Sequence, residues 1–216
     1  MKPYYQDDFV TIYHADCREV LPSIEGDVVL TDPPFNVGKD YGATDDALSD
    51  EVYAELMGTV ASGADRQAWV TPTNRLNLFS TLLGDVARPV VIRRGAKGPK
   101  RWGWFDQFDM LLVRGYPLRY ETNLWDGIRL KGEGYFFREE SYGHPGYTPY
   151  ALMSKLVGLM ASPTDLVVEP FAGTGTTLVA AKALRARAIG IEIEERYCEI
   201  AAQRMGQEVL DLGSAA

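Results

Sequence analysis

The clearest signal of the fold is Leu166-Val-Val-Glu-Pro-Phe-Ala-Gly-Thr-Gly-Thr-Thr177. A short apolar run is followed at once by a glycine turn and by residues that can begin a helix. Gly173 and Gly175 lack a Cβ atom, so the backbone there can adopt positive φ and approach a ligand closely. Amide groups at the start of the following helix are suited to a carboxylate or a phosphate. The stretch predicts a strand, turn and helix that bind an anionic group, and a turn with a structural role alone is the alternative.

An acidic residue follows at the spacing that nucleotide-binding units of this kind require. Glu192 ends the next apolar run, roughly twenty residues after the turn, where an acidic side chain accepts hydrogen bonds from ribose hydroxyls. The turn lacks the Gly-Lys-Ser/Thr ending of a phosphate-binding loop, and Lys182 lies well inside the helix. A nucleoside with a modest anionic group is therefore favoured as the ligand. S-adenosylmethionine, with one ribose and one carboxylate, fits this description.

Apolar runs of strand length alternate with helical patterns along the chain. Strands are predicted over residues 27–31, 67–70, 90–92, 108–113, 166–168 and 188–191. Helices are predicted over residues 49–63, 148–160, 176–184 and 194–205, the first with an apolar face of Val52, Leu56, Met57 and Val60. This alternation predicts an α/β fold, with a mostly parallel sheet and helices on both faces. Ligands bind beyond the carboxyl ends of the strands in such sheets, which directs attention to Asp32, Glu169 and Glu192.

Length and composition limit the remaining possibilities. With 216 residues, 46% hydrophobic and 24% charged, the chain is expected to form a single domain over residues 1–216. It has no apolar run of membrane-spanning length and no secretory pattern, and Cys17 and Cys198 fit a reducing compartment, so we expect a cytoplasmic protein. Two histidines and two scattered cysteines suggest no metal site. Because the net charge is −8, any nucleic-acid contact must come from a local basic patch.

A second motif, Thr31-Asp-Pro-Pro-Phe-Asn36, directly follows the first predicted strand. Two consecutive prolines fix φ and remove two amide donors, so the turn is rigid and rich in acceptors. The Asp32 carboxylate and the Pro33 carbonyl could accept both hydrogens of an aromatic amino group, which would free the nitrogen lone pair from conjugation. Phe35 would stack on the base. The predicted catalytic residues are therefore Asp32, Pro33, Pro34 and Phe35, and a purely structural turn is the alternative for this motif alone.

Together these motifs resemble those of the amino-group DNA methyltransferases, which methylate adenine N6 or cytosine N4. That family carries Asp/Asn/Ser-Pro-Pro-Tyr/Phe and Phe-x-Gly-x-Gly motifs, matched here by residues 32–35 and 171–175. The catalytic motif comes first, which resembles the circularly permuted beta-type order. Segments 14–22, 144–149 and 189–197 also match, so the resemblance covers nearly the whole chain. It implies a Rossmann-like methyltransferase fold with S-adenosylmethionine as the methyl donor.

The resemblance also implies which residues bind the cofactor. They are Asp16, Asp32, His144, Thr148, Glu169, Phe171, Gly173, Gly175, Thr176, Thr177 and Glu192. Three positions depart from the family pattern. Glu169 stands where aspartate is usual, Phe35 where tyrosine is commoner, and Thr148 where lysine is usual. The last change affects one polar contact to the carboxylate end of the cofactor, for which the hydroxyl of Thr148 or Thr176 could compensate.

The basic residues suited to DNA contact are concentrated in a loop at residues 88–105. No acidic residue interrupts the stretch from Arg88 to Arg101, and glycine, proline and aromatic residues accompany the charges. Such a loop suits phosphate contact, and a solvated hairpin loop is the alternative. The predicted contacts to double-stranded DNA are Lys39, Arg93, Arg94, Lys97, Lys100 and Arg101. The acidic stretch 40–55 is interpreted as a lid or a helix cap.

A target-recognition segment is limited to residues 116–142. Its candidate readers of base edges are Asn123, Arg129, Lys131 and Arg138. Because the segment is short, we expect a short or relaxed recognition sequence, or help from a second subunit in a homodimer. A base inside a duplex cannot reach Asp32, so the target is expected to flip out of the helix.

The leading hypothesis is a DNA methyltransferase that acts on N6 of adenine, because aspartate at the first position of the catalytic motif favours adenine in the resembling family. Cytosine N4 is the alternative target. Methylation of RNA or of a protein amide, and an inactive cofactor-binding subunit, are alternatives from other classes. The permuted order and the element at residues 144–149, which begins His144-Pro145, favour DNA over RNA or protein. The intact Asp32, Phe35 and Glu192 argue against an inactive subunit.

Overall fold

The computed structural model describes residues 1–42, 46–93, 108–118, 123–125, 142–146 and 148–211, which form one mixed sheet flanked by helices. Its strands are β1 (Tyr5–Gln6), β2 (Val10–His14), β3 (Val28–Thr31), β4 (Arg66–Thr71), β5 (Arg88–Arg93), β6 (Phe108–Arg114), β7 (Leu124–Trp125), β8 (Leu166–Glu169) and β9 (Arg187–Glu192). Its α-helices are α1 (Cys17–Val20), α2 (Asp50–Ala61), α3 (Leu76–Leu83), α4 (Tyr150–Met160), α5 (Thr176–Ala183) and α6 (Glu195–Asp211). Short 3-10 turns cover Leu21–Ser23 and Thr73–Arg75.

The strands follow the order β1-β2-β9-β8-β3-β4-β6-β5-β7 across the sheet. Every neighbouring pair from β2 to β4 is parallel, whereas β6 runs antiparallel to both β4 and β5. At the ends, β1 is antiparallel to β2 and β7 is parallel to β5. The expected mostly parallel α/β sheet is confirmed. The late strands β8 and β9 lie between the early strands β2 and β3.

Helices cover both faces of the sheet, as predicted. Alternate residues of β3 point to opposite faces, so Val28 and Leu30 belong to one core and Val29 to the other. The first core contains the buried apolar residues of α4, α5 and the start of α6, and the second contains those of α1, α2 and α3. Both faces of the central strands are therefore removed from water, which accounts for their continuous apolar sequences.

The elements differ from the sequence prediction in a few places. Strands β1, β2 and β7 and helices α1 and α3 were not predicted; β2 carries Thr11, Tyr13 and His14, which interrupt an apolar run. The predicted apolar face of α2 is wrong at Val52, which is 38% exposed, because Tyr53 takes the buried position beside Leu56. Helix α4 begins at Tyr150 rather than Thr148, since a residue before proline disfavours helical geometry and Pro149 is extended.

The parallel direction of β3, β8 and β9 places their carboxyl ends at one edge of the sheet. Asp32 directly follows β3, Glu169 ends β8, and Glu192 ends β9. The three acidic residues singled out from the sequence therefore share this edge. Within the described residues, no helix is both long and apolar enough to cross a membrane.

Candidate active site

Two adjoining cavities open at the carboxyl-end edge. The Asp16 cavity, about 790 Å³ with its open mouth, is bounded by Asp16 and Leu56 among others. The Asp32 cavity, about 600 Å³, is bounded by Asp32, Phe35 and His144 among others. Five residues line both: Pro34, Tyr41, Phe171, Glu192 and Ile193. The two cavities therefore form neighbouring compartments that meet beside the glycine turn.

The glycine turn adopts the backbone geometry that its sequence predicts. Gly173 has φ +50° and Gly175 has φ +81°, both in the left-handed region that favours glycine. A Cβ atom on Gly173 would lie 3.3 Å from Nε2 of His144, so this glycine brings the backbone close to the Asp32 cavity. A Cβ atom on Gly175 would lie only 2.9 Å from Cβ of Ala201. The close approach at Gly175 is thus to helix α6.

Glu192 fixes the turn and faces both cavities. One carboxylate oxygen accepts a hydrogen bond from the amide of Gly173 (2.7 Å), and the other accepts one from the amide of Glu194 (2.8 Å). The residue is 8% exposed, and burial raises the pKa of its carboxyl group above the ordinary value. Glu192 lines both cavities, where ribose hydroxyls could donate to its carboxylate.

Glu169 lies behind the site. It is 2% exposed and accepts hydrogen bonds from Thr31 Oγ1 (2.5 Å), Thr177 Oγ1 (2.8 Å) and the amide of Phe171 (3.2 Å). Burial raises the pKa of Glu169 to about 8, which the three donors counteract only in part. The carboxyl group therefore ties β3, β8 and α5 together, and it lines neither cavity.

A hydrogen bond links the two segments expected to provide catalysis and part of the cofactor site. Thr148 Oγ1 donates to Oδ2 of Asp32 across 2.5 Å. Thr148 stands just before α4, and Asp32 stands just after β3. The threonine that replaces the family's usual lysine thus contacts the predicted catalytic carboxylate.

The turn from Asp32 to Asn36 is held by side chains from outside it. Tyr53 Oη donates to the carbonyl of Pro34 (2.7 Å), and Arg75 donates from Nε to the carbonyl of Phe35 (3.0 Å) and from Nη2 to that of Asn36 (3.0 Å). The Arg75 guanidinium also lies over the Tyr53 ring, 4.8 Å from its centroid. Sequence analysis missed both residues, and their only local signal is the helical spacing of Tyr53 with Leu56 and Val60.

The loop after this turn is gathered around Asp46, which is buried. Its carboxylate accepts hydrogen bonds from the amides of Asn36 (2.9 Å), Val37 (3.1 Å) and Lys39 (3.0 Å). The Asn36 side chain pairs with both backbone groups of Leu48. Ser49 then caps helix α2 through its hydroxyl, in line with the expected capping role of this stretch. Sequence analysis did not single out Asp46, which gave no signal apart from being one acid among several.

The remaining predicted cofactor residues divide into two groups. Asp16, which caps α1 and pairs with Arg18, lines the Asp16 cavity, and His144 lines the Asp32 cavity with its ring 4.4 Å from that of Tyr197. Thr176 and Thr177 point inward: Thr176 Oγ1 accepts from Arg204 (3.3 Å) and Thr177 donates to Glu169. Both threonines are buried and line neither cavity.

The predicted DNA contacts are described only in part. Lys39 lines the Asp32 cavity, with Nζ 5.6 Å from the centroid of the Phe35 ring. Arg93 is the last residue of β5, whose direction brings it to the carboxyl-end edge. Arg94, Lys97, Lys100 and Arg101 lie outside the described residues, as do Arg129, Lys131 and Arg138 and most of the 116–142 segment. In the described part of the chain, no group of acidic, histidine and cysteine side chains could hold a metal ion.

Comparison with known proteins shows similarity to DNA methyltransferases. It is 25% identical to the type II methyltransferase M.ScaI of Streptomyces caespitosus, covering 98% of this chain and 86% of the relative. It is 26% identical to the type II methyltransferase M.HpaI of Haemophilus parainfluenzae, covering 84% of this chain and 68% of the relative. The model of the N6/N4 DNA methylase family matches residues 118–203, which contain the glycine turn and Glu192. Over these residues the chain is similar to that family.

Other proteins similar to this chain differ from one another in target base. The DNA adenine methyltransferase YhdJ of Escherichia coli K12 is 21% identical over 90% of this chain and 82% of the relative. Among solved structures, the M1.HpyAVI–SAM complex gives a TM-score of 0.67 at 21% identity, covering 91% of this chain and 98% of that one. The cytosine-N4-specific PvuII DNA methyltransferase gives 0.69 at 17% identity, covering 94% and 88%. At these identities the structural matches show a shared methyltransferase fold.

Proposed function

We propose that this chain transfers a methyl group from S-adenosylmethionine to the exocyclic N6 amine of an adenine flipped out of double-stranded DNA. Similarity to the N6/N4 DNA methylase family model and to two type II methyltransferases supports a DNA methyltransferase of this class. The observation that carries the proposal is that the two cavities adjoin. The Asp16 cavity and the Asp32 cavity share Phe171 and Glu192 as lining residues. A donor and an acceptor could thus occupy neighbouring compartments at one edge of the sheet.

The side chains of the two cavities fit the parts of S-adenosylmethionine. Phe171 and Ile193 give the Asp16 cavity apolar surface for a purine, and Glu192 presents a carboxylate where the ribose would lie. His144 lines the Asp32 cavity, where the amino-acid part would extend, and Gly173 lies beside its imidazole. When bound, the cofactor supplies an electrophilic methyl group. The protein's contribution is to hold that group beside the Asp32–Asn36 turn.

The turn would prepare the target amine for attack. The amine of adenine is a weak nucleophile, because its lone pair is conjugated with the ring. Asp32 and the Pro33 carbonyl accept the two amine hydrogens, and Phe35 stacks on the ring. This rehybridises the nitrogen and aims its lone pair at the methyl group. After transfer, the proton lost from the nitrogen passes to the Asp32 carboxylate and then to solvent.

The target base is the part of the proposal that most needs a direct measurement. Aspartate at the first motif position supports adenine, whereas relatives of both base specificities share the fold. The test is methyl transfer from labelled S-adenosylmethionine to unmethylated duplex DNA, followed by nucleoside analysis of the product. We expect N6-methyladenine. Formation of N4-methylcytosine would show that the target base is cytosine instead of adenine. Methyl transfer only to RNA or protein, or no methyl transfer despite cofactor binding, would refute the proposed function.

The DNA would meet the carboxyl-end edge. Arg93 ends β5 at that edge, and Arg94, Lys97, Lys100 and Arg101 follow it in the sequence. We propose that these residues and Lys39 contact phosphates. Replacing Arg93, Arg94 and Lys97 with glutamine should flatten the dependence of log Kd on log salt by roughly 0.9 per lost contact. Replacing Arg88, Arg185 and Arg187, which are exposed and lie at or just before the starts of β5 and β9, provides a charge-matched control. An equal change there would place the DNA elsewhere.

We also propose that two copies cooperate on one duplex, since a chain of 216 residues offers little surface for gripping DNA. Sedimentation of the protein with and without a duplex containing the methylated sequence would give the stoichiometry. Two protomers on one duplex are expected. A single protomer on each duplex at saturation would contradict the proposal.

A further inference from the structure

We propose that Tyr53 and Arg75 are positioning residues that select the carbonyl group of the Asp32–Asn36 turn to which the target amine donates. The inference rests on the proposed function, because it concerns the step in which the amine is held for methyl transfer. It assigns a role to two residues that lie outside the motifs of the catalytic turn and the glycine turn.

The turn presents several competing acceptors to an incoming amine. Pro33 and Pro34 have no amide hydrogen, so this segment has more acceptors than donors. The carbonyls of residues 33–36 form a row of acceptors along the turn, of which that of Pro33 directly follows Asp32 in the chain, and Pro33, Pro34 and Phe35 line the Asp32 cavity. Without further constraint, the amine could bind in more than one register.

Tyr53 and Arg75 remove three members of that row. The carbonyls of Pro34, Phe35 and Asn36 accept hydrogen bonds from Tyr53 Oη, Arg75 Nε and Arg75 Nη2, at 2.7, 3.0 and 3.0 Å. Among the residues that the structure describes, none donates a hydrogen bond to the Pro33 carbonyl. The pair of side chains thus leaves the carbonyl next to Asp32 as the partner that the turn offers to the second amine hydrogen.

Packing and further contacts hold the side chains of Tyr53 and Arg75 in position to donate to these carbonyls. Tyr53 is 1% exposed, its ring stands 6.4 Å from that of Phe79 in the core, and burial raises the pKa of its hydroxyl, which therefore stays a neutral donor. Arg75 lies over the Tyr53 ring and also reaches Asp50 (3.3 Å). Its planar guanidinium matches two successive carbonyls with two donors, a geometry that lysine cannot reproduce.

Tyr53 and Arg75 come from two different elements of the fold. Tyr53 belongs to α2, and Arg75 ends the 3-10 turn that follows β4, the parallel neighbour of β3. The turn is therefore fixed from two independent elements of the scaffold. Preorganised acceptors contribute to rate because small displacements of reacting groups cost about a hundredfold.

The test compares Y53F, R75Q and R75K with wild type in single-turnover methyl transfer at saturating cofactor and DNA. Y53F keeps the buried ring and removes only the hydroxyl. We expect the rate to fall about tenfold in Y53F and about a hundredfold in R75Q, with partial recovery in R75K. The dissociation constant of the cofactor, measured by calorimetry, should stay within about threefold of wild type, because Arg75 lines neither cavity and Y53F keeps the ring that borders the Asp16 cavity.

R114Q is the matched control. Arg114 donates to the backbone carbonyls of Ala61 and Ala64 at the opposite edge of the sheet, so the variant loses bonds of the same type far from the site. It should lower the melting temperature without lowering the single-turnover rate.

The outcomes separate the inference from the proposed function. An active wild type with Y53F and R75Q at wild-type rate would overturn the inference alone. So would a rate loss in R114Q equal to that in R75Q, because it would trace the effect to general loosening of the fold. A wild type that transfers no methyl group to DNA would overturn the proposed function and this inference with it.

Discussion

The hydroxyl of Thr148 donates to the carboxylate of Asp32 across 2.5 Å, joining two residues that are 116 positions apart in the chain. The bond fixes one oxygen of the Asp32 carboxylate. The amino-group DNA methyltransferases that this sequence resembles usually have lysine at this position. The sequence predicts that the residue here contacts the carboxylate end of the cofactor. Thr148 therefore links segment 144–149 to the predicted catalytic turn, and its replacement should change the rate of methyl transfer.

Replacing Thr148 with valine keeps the shape of the side chain and removes the donor. A hydrogen bond to a charged group contributes about 1.5–3 kcal/mol, so we expect T148V to slow single-turnover methyl transfer at least about tenfold. T148S, which keeps the hydroxyl, should stay near the wild-type rate. Weaker cofactor binding in T148V with an unchanged rate would instead assign Thr148 to the cofactor, as the sequence analysis expected.

Removing the carboxylate itself should have the largest effect. D32A takes away the predicted acceptor of the target amine, so we expect methyl transfer to fall below detection while the cofactor dissociation constant changes no more than a few-fold. Asp85 lies on an exposed turn before β5, at the other edge of the sheet, and D85A serves as the control. Measurable turnover in D32A would remove Asp32 from the mechanism.

Glu169 should make the stability of the protein depend on pH. Burial raises its pKa from 4.5 to about 8, so between these values the native protein holds a proton that the unfolded chain has released. Stability is then fully present below about pH 4.5 and is lost as the pH rises toward 8, by up to about 1.4 kcal/mol per pH unit. Urea unfolding at pH 5, 6, 7 and 8 measures this slope.

E169Q provides the comparison, because glutamine resembles the neutral carboxyl group and can donate to Thr177. The variant should lose the part of the slope that comes from this residue, while Glu192 contributes in both proteins. Equal slopes in E169Q and wild type would show that Glu169 does not change its protonation on unfolding in this range.

The two glycines of the turn should respond differently to alanine. G175A would place Cβ 2.9 Å from Cβ of Ala201 at φ +81°, so we expect it to lower the free energy of unfolding by about 2 kcal/mol or more. G173A meets the imidazole of His144 at 3.3 Å, and its main effect should be weaker cofactor binding. Denaturant unfolding and calorimetry distinguish the two, and the reverse pattern would contradict this assignment.

The sequence predicted the parts of the molecule whose signals are local. The α/β class, the β8–turn–α5 unit and the clustering of Asp32, Glu169 and Glu192 at one edge follow from short apolar runs, positive-φ glycines and the parallel direction of the strands. Each of these depends on residues close together in the chain. The positions of the glycines were predicted correctly, although the close approach at Gly175 serves packing against α6.

The supporting side chains could not be predicted in the same way. Tyr53, Arg75 and Asp46 act on backbone groups of the turn and the loop after it from 7 to 40 positions away. No sequence pattern marks an arginine that will donate to a distant carbonyl. The residues next to Arg75 in the chain do not indicate which backbone groups its side chain will reach after folding. Thr176 and Thr177 show the converse: their motif position suggested ligand contact, and the packing of Arg204 and Glu169 turned them inward.

The insertion of β8 and β9 between β2 and β3 has a consequence for synthesis. Strands β2 and β3 leave the ribosome early, yet neither pairs with the other, and the two strands that lie between them, β9 and β8, are encoded much later. The Asp32 turn emerges long before Phe171 and Glu192, which line the same cavity. A nascent chain therefore carries the Asp32 turn while both cavities still lack part of their walls. The Asp32 cavity is complete only after the chain has been synthesised as far as Tyr197.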